Sequence, residues 1–365
     1  MIYLDNGATS FHKPPQVLRA VAEALRRCAN PGRGGYRAAM EAARRVYACR
    51  EEAGKLFGCA PDQVVLTQNC THGLNLAIRT LVHPGDKVAV SGFEHNAVTR
   101  PLNALEAKLL ICGRQLFHPE DTLERFQKAL DAGAKAAVCT HVSNVFGYIL
   151  PIEAIARLCR ERGVPLIIDA AQSAGSLPID LADLGAAFIA MPGHKGLLGP
   201  QGTGILLCGT TPEPLLYGGT GSDSLRQQMP DFLPDRAEAG TLNVPGIAGL
   251  TEGLRYLRRT GIHTIAQRQR REAKRAAEGL RRLGLQVFSG EDQLGTVSFL
   301  PSMDCEEAAQ RLADRGIAVR AGLHCAPLAH ESAGTLSTGT VRISFGHDAH
   351  PSQTTALLNA ATTLT

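Results

Sequence analysis

The stretch AAFIAMPGHKGLLGPQGTGILLCG (186–209) places Lys195 in a glycine-rich loop between two apolar runs. Apolar runs of this length, bounded by glycine and proline, predict buried β-strands. A phosphate-binding GxxxxGK[ST] loop is excluded, because Gly196 follows Lys195 and the upstream glycine spacing is missing. A dinucleotide-binding GxGxxG motif is also excluded, because Leu207 stands where its third glycine would be. The amine of Lys195 therefore needs another explanation.

Six short apolar runs alternate with helical patterns between residues 63 and 209. The helical stretches include HGLNLAIRTLVH (72–83) and IEAIARLCRERG (152–163). This alternation predicts an α/β fold in which helices cover a parallel sheet. Because right-handed crossovers bring the carboxyl ends of parallel strands to one edge, residues that directly follow the strands should share a crevice. The six runs are QVVLTQ (63–68), DKVAVSG (86–92), AKAAVCTH (134–141), VPLIID (164–169), AAFIAM (186–191) and TGILLCG (203–209).

The pattern changes after about Gly261. A long charged helix is followed by LQVF (285–288), GTVSF (295–299), a helix from Cys305, IAVR (317–320), TVRISF (340–345) and a closing helix. This order predicts a smaller α+β domain. The segment PLAHESAGTLSTGT (327–340) is rich in Gly, Ser and Thr, which is typical of a mobile loop.

Composition excludes several classes of protein. The 365 residues are 44% hydrophobic, enough for a sizeable core and for two domains. A balance of 38 Lys and Arg against 34 Asp and Glu is too even to indicate a nucleic-acid partner. The ten cysteines are scattered and form no CxxC pair, which favours a reducing, cytoplasmic setting and argues against a metal site. No targeting signal and no apolar run of membrane-spanning length is visible, so we expect no membrane association.

Three polar residues that follow predicted strands allow both a structural and a chemical interpretation. Thr71 opens a helix after the first run, where its hydroxyl and the backbone N–H groups would hold a phosphate, although a capping threonine is the simpler alternative. His95 follows the second run and Asn144 the third, and either is also an ordinary polar residue at a strand end. Taken singly, each of the three favours the structural interpretation.

The combination with two further residues favours a cofactor site. Asp169 closes an otherwise apolar strand, where a carboxylate is costly unless it meets a cation. The quoted stretch brings Lys195 to the same edge. Pyridoxal phosphate needs a lysine, a carboxylate that keeps its ring nitrogen protonated and a helix N-terminus for its phosphate. Lys195, Asp169 and Thr71 together therefore predict a pyridoxal 5'-phosphate site, in which His95 would lie flat on the ring.

At this point the chain resembles the class V aminotransferase-like pyridoxal-phosphate enzymes and, within them, the cysteine desulfurases and selenocysteine lyases. The resemblance implies an α/β fold of fold type I, with a mostly parallel seven-stranded sheet in a large cofactor-binding domain over residues 15–260. A small α+β domain of residues 1–14 and 261–365 would carry the substrate arginine and a mobile cysteine loop. The motifs that carry the resemblance are YLDNGAT (3–9), THVSNVFG (140–147), DAAQS (169–173), GHKGLLGPQGTG (193–204), EAGTLN (238–243), VRAGLHCAPL (319–328) and VRISF (341–345).

The resemblance also implies roles for individual residues. Arg342 would clamp the α-carboxylate of an amino-acid substrate, with Asn144 beside it, because a guanidinium suits bidentate binding. Cys325 falls where desulfurases keep the thiol that takes sulfur from the substrate, and the neighbouring His324 would favour its thiolate form. The implied cofactor contacts are Lys195 as the Schiff-base lysine, Asp169 on the pyridine nitrogen, Gln172 on the ring hydroxyl, His95 stacked on the ring, and Thr71, His72, His194 and Thr241 around the phosphate, with Thr241 coming from the second subunit of a homodimer.

The sequence departs from these relatives at three places. Pro192 stands where desulfurases usually have a serine that binds phosphate, so one hydroxyl contact is missing. Tyr36 lies near a position often held by histidine at the site entrance. The segment after Cys325 also differs from that of the best-known members.

These observations lead to one hypothesis and several alternatives. The leading hypothesis is a desulfurase that converts L-cysteine to L-alanine and leaves a persulfide on Cys325, with Lys195 moving a proton from Cα and His95 as the acid–base partner. A sulfur-acceptor protein is a possible partner. The alternatives are a selenocysteine lyase, another C–S lyase, a class V aminotransferase, and a pyridoxal-free scaffold that passes sulfur to a partner.

Overall fold

The computed structural model describes residues 1–32 and 34–364. Arg33, and Thr365 at the end of the predicted small domain, lie outside the described residues. The chain alternates strands and helices up to residue 208, and five of the eight strands there are completely buried. The elements up to that point are β1 (Ile2–Tyr3), α1 (Pro15–Arg27), α2 (Arg37–Phe57), β2 (Val64–Thr67), α3 (Cys70–Leu81), β3 (Lys87–Ser91), α4 (Asn96–Ala104), β4 (Lys108–Cys112), α5 (Pro119–Asp131), β5 (Ala136–Thr140), α6 (Ile152–Glu161), β6 (Leu166–Asp169), α7 (Leu181–Leu184), β7 (Phe188–Pro192) and β8 (Gly204–Cys208).

The central sheet has seven strands in the order β2-β8-β7-β6-β5-β3-β4. β3, β4, β5, β6 and β7 pair in parallel, and β8 pairs antiparallel with both β7 and β2. The α/β class and the mostly parallel sheet of seven strands are therefore confirmed. All six apolar runs form strands of this sheet. The sequence analysis missed the run KLLIC of β4, an edge strand that is only partly buried, although four of its five residues are apolar.

Helices cover both faces of the central sheet, which explains why its strands are apolar throughout. One core lies between the sheet and α2, α5 and α6, and it includes Phe57, Phe126 and Ile155. The other lies between the sheet and α3 and α4, and it includes Leu74 and Leu102. The two layers hold the carboxyl edge of the sheet rigidly, because every parallel strand is packed from both sides.

The remaining elements build a second sheet of four antiparallel strands in the order β12-β13-β10-β9. A separate apolar core lies beneath it. The N-terminal strand β1 pairs in parallel with β11 in a separate two-stranded sheet. The division into two domains near residue 260 stays a prediction. The elements are α8 (Val244–Thr260), α9 (Ile262–Arg282), β9 (Gln286–Phe288), β10 (Thr296–Leu300), α10 (Cys305–Asp314), β11 (Ile317–Ala318), β12 (Arg320–Gly322), α11 (Pro327–Ala333), β13 (Thr340–Ser344) and α12 (Pro351–Ala361).

The segment after Cys325 is not the structureless loop that its composition predicts. Residues 327–333 form α11, whose Leu328 and Ala329 are buried, and Ser332 Oγ donates a hydrogen bond to the carbonyl of Gly92. The prediction of a loop is therefore wrong for residues 327–333, because apolar side chains at helical spacing within the segment pack against the core under the central sheet, whereas its mobility stays a prediction. In the described part of the chain, no helix is long and apolar enough to cross a membrane.

Candidate active site

Seven of the residues predicted for cofactor or substrate line one cavity at the carboxyl edge of the central sheet. The cavity has a volume of about 100 Å³. Residues that follow β2, β3, β5, β6 and β7 all contribute, as the geometry of parallel strands requires. The seven are Thr71, His95, Asn144, Asp169, Gln172, His194 and Lys195.

Two predicted phosphate ligands lie elsewhere. His72 and Thr241 line a neighbouring cavity of about 140 Å³, together with Gln68. The N–H of His72 is already occupied, because it donates to Asn69 Oδ1 over 2.9 Å at the start of α3. Within one chain, Thr241 does not border the cavity that contains Lys195. The predicted contact from Thr241 therefore requires a second copy of the chain.

Asp169 is held in place at the end of β6 by two donors. Its Oδ1 accepts hydrogen bonds from the N–H of Ala171 over 2.8 Å and from the thiol of Cys70 over 3.5 Å. Burial, together with the charge of Asp169, raises the pKa of Cys70 well above its ordinary value, so this thiol stays protonated and keeps donating. The carboxylate is buried and its other oxygen remains available for a cation.

Lys195 lies on the turn after β7, in the same cavity as Asp169. Burial lowers the pKa of its amine below the ordinary value, and the charge of Asp169 opposes that shift. A lowered pKa makes it easier for a lysine to lose its proton, and the neutral amine is the nucleophilic form. The electrostatic environment therefore suits covalent attachment of a carbonyl compound.

His95 caps the N-terminus of α4 and stays neutral. Its Nδ1 accepts a hydrogen bond from the N–H of Ala97 over 3.0 Å, which assigns the ring proton to Nε2. Burial lowers the pKa of this imidazole, and the charge of Asp169 partly offsets the effect. The ring borders the cavity, so a neutral imidazole with an Nε2–H donor faces whatever binds there.

One side of the cavity combines the N-terminus of α3 with a histidine fixed by the N-terminal segment. Thr71 lies in the first turn of α3, where backbone N–H groups and the helix dipole favour an anion. His194 Nδ1 lies 3.0 Å from Thr9 Oγ1, and burial lowers the pKa of this imidazole to about 4. Pro192 borders the same cavity and adds no hydroxyl. An anion on this side of the cavity would therefore meet helix N–H groups, Thr71 and a neutral His194.

Gln172 reaches from the cavity to the N-terminal segment. Its Nε2 donates to the carbonyl of Gly7 over 3.0 Å, which fixes the side-chain amide. A Cβ at Gly7 would lie 3.2 Å from Cζ of Arg342, so the backbone passes directly over the guanidinium. The N-terminal segment therefore lies between the cavity and Arg342.

Arg342 is almost fully buried on β13 and is incompletely paired. Its Nη2 donates to Asp5 Oδ1 over 2.9 Å, and its Nη1 donates to the carbonyl of Asn144 over 3.0 Å. Nε is buried without a partner. A guanidinium carries five N–H donors, so two bonds leave most of them free for another acceptor. Arg342 does not line the cavity of Lys195, but Asn144 connects the two.

Cys325 lies in a tight turn that is bonded to the rim of the cavity. Its carbonyl accepts from the N–H of Asn96 over 2.8 Å, and the carbonyl of His324 accepts from Asn144 Nδ2 over 2.8 Å. Both turn residues have positive φ, 50° for His324 and 56° for Cys325. Among the ten cysteines, Cys325 is exposed whereas the other nine are buried or partly buried.

The structure does not show the expected stabilisation of the Cys325 thiolate by His324. Its Nε2 donates to the carbonyl of Thr340 over 3.1 Å, and its Nδ1 is buried without a partner. Burial lowers the pKa of this imidazole to about 2, so it carries no positive charge next to Cys325. A histidine beside a cysteine in sequence is therefore a poor guide to charge when the ring is turned into the core.

Sequence reasoning missed two residues that hold the site together. Cys70 donates to Asp169, and Asp5 bridges two arginines. An aspartate after a short apolar strand was a usable signal for Asp5, of the kind that identified Asp169. Nothing in the sequence connects Cys70 with Asp169, because the contact depends on the packing of α3 against β6. No group of three or more His, Cys, Asp or Glu in the described chain is arranged to hold a metal ion.

The comparisons with known proteins agree with this geometry. The chain belongs to the aminotransferase class-V family, which matches residues 2–357. A relative from Pyrococcus abyssi named "Probable cysteine desulfurase" is 34% identical, over 94% of this chain and 89% of its own length. The solved cysteine desulfurase of Thermococcus onnurineus is 31% identical with a TM-score of 0.91, covering 100% of this chain and 94% of that one. A solved cysteine desulfurase of Escherichia coli is 26% identical with a TM-score of 0.84, over 99% and 93%.

Proposed function

We propose that this protein is a pyridoxal-phosphate-dependent cysteine desulfurase, which converts L-cysteine to L-alanine and leaves a persulfide on Cys325. The observation that carries the proposal is the set of donors around one cavity: an amine with a lowered pKa, a buried carboxylate and a helix N-terminus. This set fits the aldehyde, the ring nitrogen and the phosphate of the cofactor, respectively. The cysteine desulfurases among the similar proteins support the same conclusion.

Each group of the cofactor has a candidate partner in the cavity. Asp169 would pair with the ring nitrogen, and Gln172 with the ring hydroxyl. His95 would lie against the ring, and Lys195 would carry the cofactor covalently. Thr71 and His194 would bind the phosphate, completed by Thr241 of a second subunit. When bound, pyridoxal phosphate supplies an electron sink that stabilises negative charge at the α-carbon of an amino acid.

The substrate would be held by its carboxylate. The free Nε of Arg342 and the amide of Asn144 are the candidate donors, and both belong to residues with fixed positions. The amine of Lys195, which lies in the cavity and has a lowered pKa, would then move the proton from Cα. The Nε2–H of His95 faces the same space and is the candidate acid for the substrate.

The sulfur step takes place at Cys325. Its thiolate attacks the sulfur of the substrate, the new S–S bond forms, and the bond between that sulfur and Cβ breaks. The electron pair of the broken bond stays with the carbon skeleton, which takes up a proton and leaves as L-alanine. The balance is L-cysteine plus a thiol giving L-alanine plus a persulfide, without an external oxidant. A sulfur-acceptor protein would then remove the outer sulfur.

We infer further that the active form is a homodimer. Tyr36, Met40 and Tyr47 are 59%, 45% and 56% exposed and follow one another at helical spacing along α2. Tyr47 borders the same open groove as Thr241. A large exposed apolar stripe of this kind marks a protein interface more often than a free surface. Ten cysteines without a disulfide support a reducing, cytoplasmic setting.

The cofactor assignment is tested by reduction. Borohydride treatment of the yellow protein should fix a pyridoxyl group on the peptide that contains Lys195, as read by mass spectrometry. Lys195→Ala should lose both the label and the visible absorbance, whereas Lys13→Ala, a neighbouring lysine that donates to the carbonyl of His194, should keep both. A label on another lysine, or a protein that does not take up pyridoxal phosphate, contradicts the assignment.

The sulfur step is tested with Cys325→Ser and product analysis. This variant should retain the cofactor and still bind L-cysteine, but it should form almost no L-alanine and no persulfide. Cys305→Ser, which changes a buried thiol, is the matched control and should form both. Pyruvate or another keto acid from the wild-type protein would indicate a lyase or an aminotransferase. Alanine and sulfide formation by Cys325→Ser at the wild-type rate would remove Cys325 from the mechanism.

A further inference from the structure

Asp5 is a buried carboxylate that bridges two arginines of the second sheet. Its Oδ2 accepts from Arg320 Nη2 over 2.8 Å and from Arg320 Nε over 3.0 Å, while its Oδ1 accepts from Arg342 Nη2 over 2.9 Å. Its backbone is fixed as well, because Asp5 forms a β-bridge with Ser344 next to Arg342. A single carboxylate therefore holds both guanidinium groups side by side.

The two arginines differ in what remains free. Arg320 contacts both oxygens of Asp5, because Nη2 donates to Oδ2 over 2.8 Å and Nε also lies 3.3 Å from Oδ1, which makes this a bidentate pair of the strong kind. Arg342 gives Asp5 only one bond, and its Nε is buried without a partner. Two positive charges and one negative charge leave a net charge of one. The site therefore has one positive charge without a partner, at Arg342, where one further carboxylate can pair.

We propose that Asp5 is a specificity-determining residue, which keeps the substrate site selective for amino acids with one carboxylate and an uncharged side chain by occupying Arg320. The proposal rests on the proposed function in one respect, namely that Arg342 binds the α-carboxylate. Arg320 is half-exposed, and it begins the strand that leads to Cys325, where the side chain of a substrate would react. Without Asp5, Arg320 is a second free guanidinium, at a distance from Arg342 that one carboxylate can bridge.

The consequence is a change in the kind of amino acid that the site accepts. An amino acid with a carboxylate in its side chain has two negative groups a few bonds apart. In the wild-type site only Arg342 is available to pair with one of the two carboxylates of such an amino acid. The negative charge of Asp5 repels the other carboxylate. In Asp5→Asn both guanidinium groups are available and the repulsion by Asp5 is removed. Amino acids with two carboxylates should therefore gain binding affinity relative to amino acids with one carboxylate.

The test compares the binding of L-alanine and L-aspartate to the holoenzyme. Dissociation constants come from titrations followed by cofactor absorbance, with the thermal midpoint in the presence of each amino acid as a second readout. Relative to wild type, Asp5→Asn should shift the ratio of the two constants towards L-aspartate by about tenfold, the effect of one charge-assisted contact. Asp5→Glu, which keeps the charge, should stay near the wild-type ratio. Asp348→Asn is the matched control, because Asp348 also pairs with the N-terminal segment, at His12, without touching Arg342.

The double variant Asp5→Asn/Arg320→Gln should lose the shift, because the gain requires Arg320. An unchanged ratio in folded Asp5→Asn, or the same shift in the double variant, overturns the proposal. If Asp5→Asn does not fold, the variant Arg320→Gln tests the proposal instead. In this variant Asp5 neutralises Arg342 completely, so L-alanine should bind about tenfold more weakly than to wild type. Unchanged binding of L-alanine overturns the proposal. These titrations involve no sulfur chemistry, so they stand apart from whether wild-type protein forms L-alanine from L-cysteine. If the absorbance of wild type responds to neither amino acid, that result counts against the cofactor site, and the thermal midpoints then decide the role of Asp5.

Discussion

Glu94 and Asp169 are both buried carboxyl groups at the carboxyl edge of the central sheet, but they have different partners. Asp169 shares its cavity with the amine of Lys195. Glu94 Oε1 accepts from Ser91 Oγ and from the N–H of Thr140, and its Oε2 is buried without a partner. Burial, with no cation to offset it, raises the pKa of Glu94 to about 8. Glu94 is therefore a neutral acid at pH 7, one residue before His95.

The raised pKa of Glu94 predicts a pH dependence of stability. Between pH 5 and 8 the folded protein keeps the proton on Glu94, whereas the unfolded chain has lost it. The free energy of unfolding should therefore fall by about 1.4 kcal/mol per pH unit relative to Glu94→Gln, which cannot titrate. Urea unfolding of both proteins at pH 5.5, 6.5 and 7.5 measures this difference. A difference that stays constant with pH would show that Glu94 is ionised in the folded protein.

Arg342 provides a second prediction at the level of a single residue. Arg342→Lys keeps the charge, but one ammonium cannot contact Asp5, the carbonyl of Asn144 and a substrate carboxylate in the same geometry. We expect the KM for L-cysteine to rise about tenfold or more, the loss of one charge-assisted pair, with a smaller change in kcat and unchanged cofactor absorbance. Arg311→Lys, an exposed arginine paired with Glu307, serves as the control. Wild-type kinetics in Arg342→Lys would mean that the carboxylate is bound elsewhere.

At the scale of elements, the site depends on where helices begin. α3 and α4 start directly after strand ends of the central sheet, so their first turns border the cavity. The cap of α3 is Asn69, whose Oδ1 accepts the N–H of His72, and the cap of α4 is His95 itself. Each capping residue therefore has two roles: it ends the loop that follows a strand, and it orients backbone N–H groups at the site.

The cap of α3 should matter for both stability and the cofactor. Asn69→Ala removes the acceptor for the N–H of His72 and should lower the free energy of unfolding by about 1 kcal/mol. It should also weaken retention of pyridoxal phosphate, measured by dialysis and absorbance, because the first turn of α3 loses its alignment. Asn75→Ala, a substitution within the same helix whose side chain donates to the carbonyl of Thr71, is the control. Full cofactor retention in Asn69→Ala would separate the cap from the phosphate site.

At the scale of the whole molecule, the site has contributions from both ends of the chain. Asp5 and Gly7 come from the N-terminus, the cavity from the central sheet, and Arg342 and Cys325 from the last quarter of the sequence. The contribution from Thr241 is still missing within one chain, and Tyr47 of α2 borders the same groove as Thr241. The completed site therefore belongs to a dimer in our proposal.

The exposed apolar stripe on α2 predicts the effect of one added charge. Tyr47→Glu places a carboxylate in the middle of the proposed interface, which should shift the protein from dimer to monomer in sedimentation velocity experiments. Cofactor retention should fall in the same variant, because the partner no longer supplies Thr241. Leu336→Glu, at a 44% exposed leucine outside this groove, should remain dimeric. A monomeric wild-type protein with full cofactor occupancy would contradict the dimer and the role of Thr241 together.

The fold class could be predicted from the sequence, because short apolar runs bounded by turn residues alternate with helical patterns, as they do when helices cover both faces of a parallel sheet. Part of the site could be predicted as well: a parallel sheet brings the residues after its strands to one edge, so Lys195, Asp169 and His95 could be grouped before the fold was known. Edge strand β4 was missed although its sequence is as apolar as that of the central strands, and its partial burial became visible only in the fold.

Which side chains touch one another could be read only from the folded chain. The bridge from Asp5 to Arg320 and Arg342, the thiol of Cys70 on Asp169 and the neutral, buried ring of His324 all join or separate residues by packing between distant elements. The segment after Cys325 folded into α11 because the core under the central sheet supplied apolar contacts that its own composition does not reveal. Local sequence encodes the period and ends of elements, whereas burial, and with it the charge of each side chain, depends on neighbours that are hundreds of residues away.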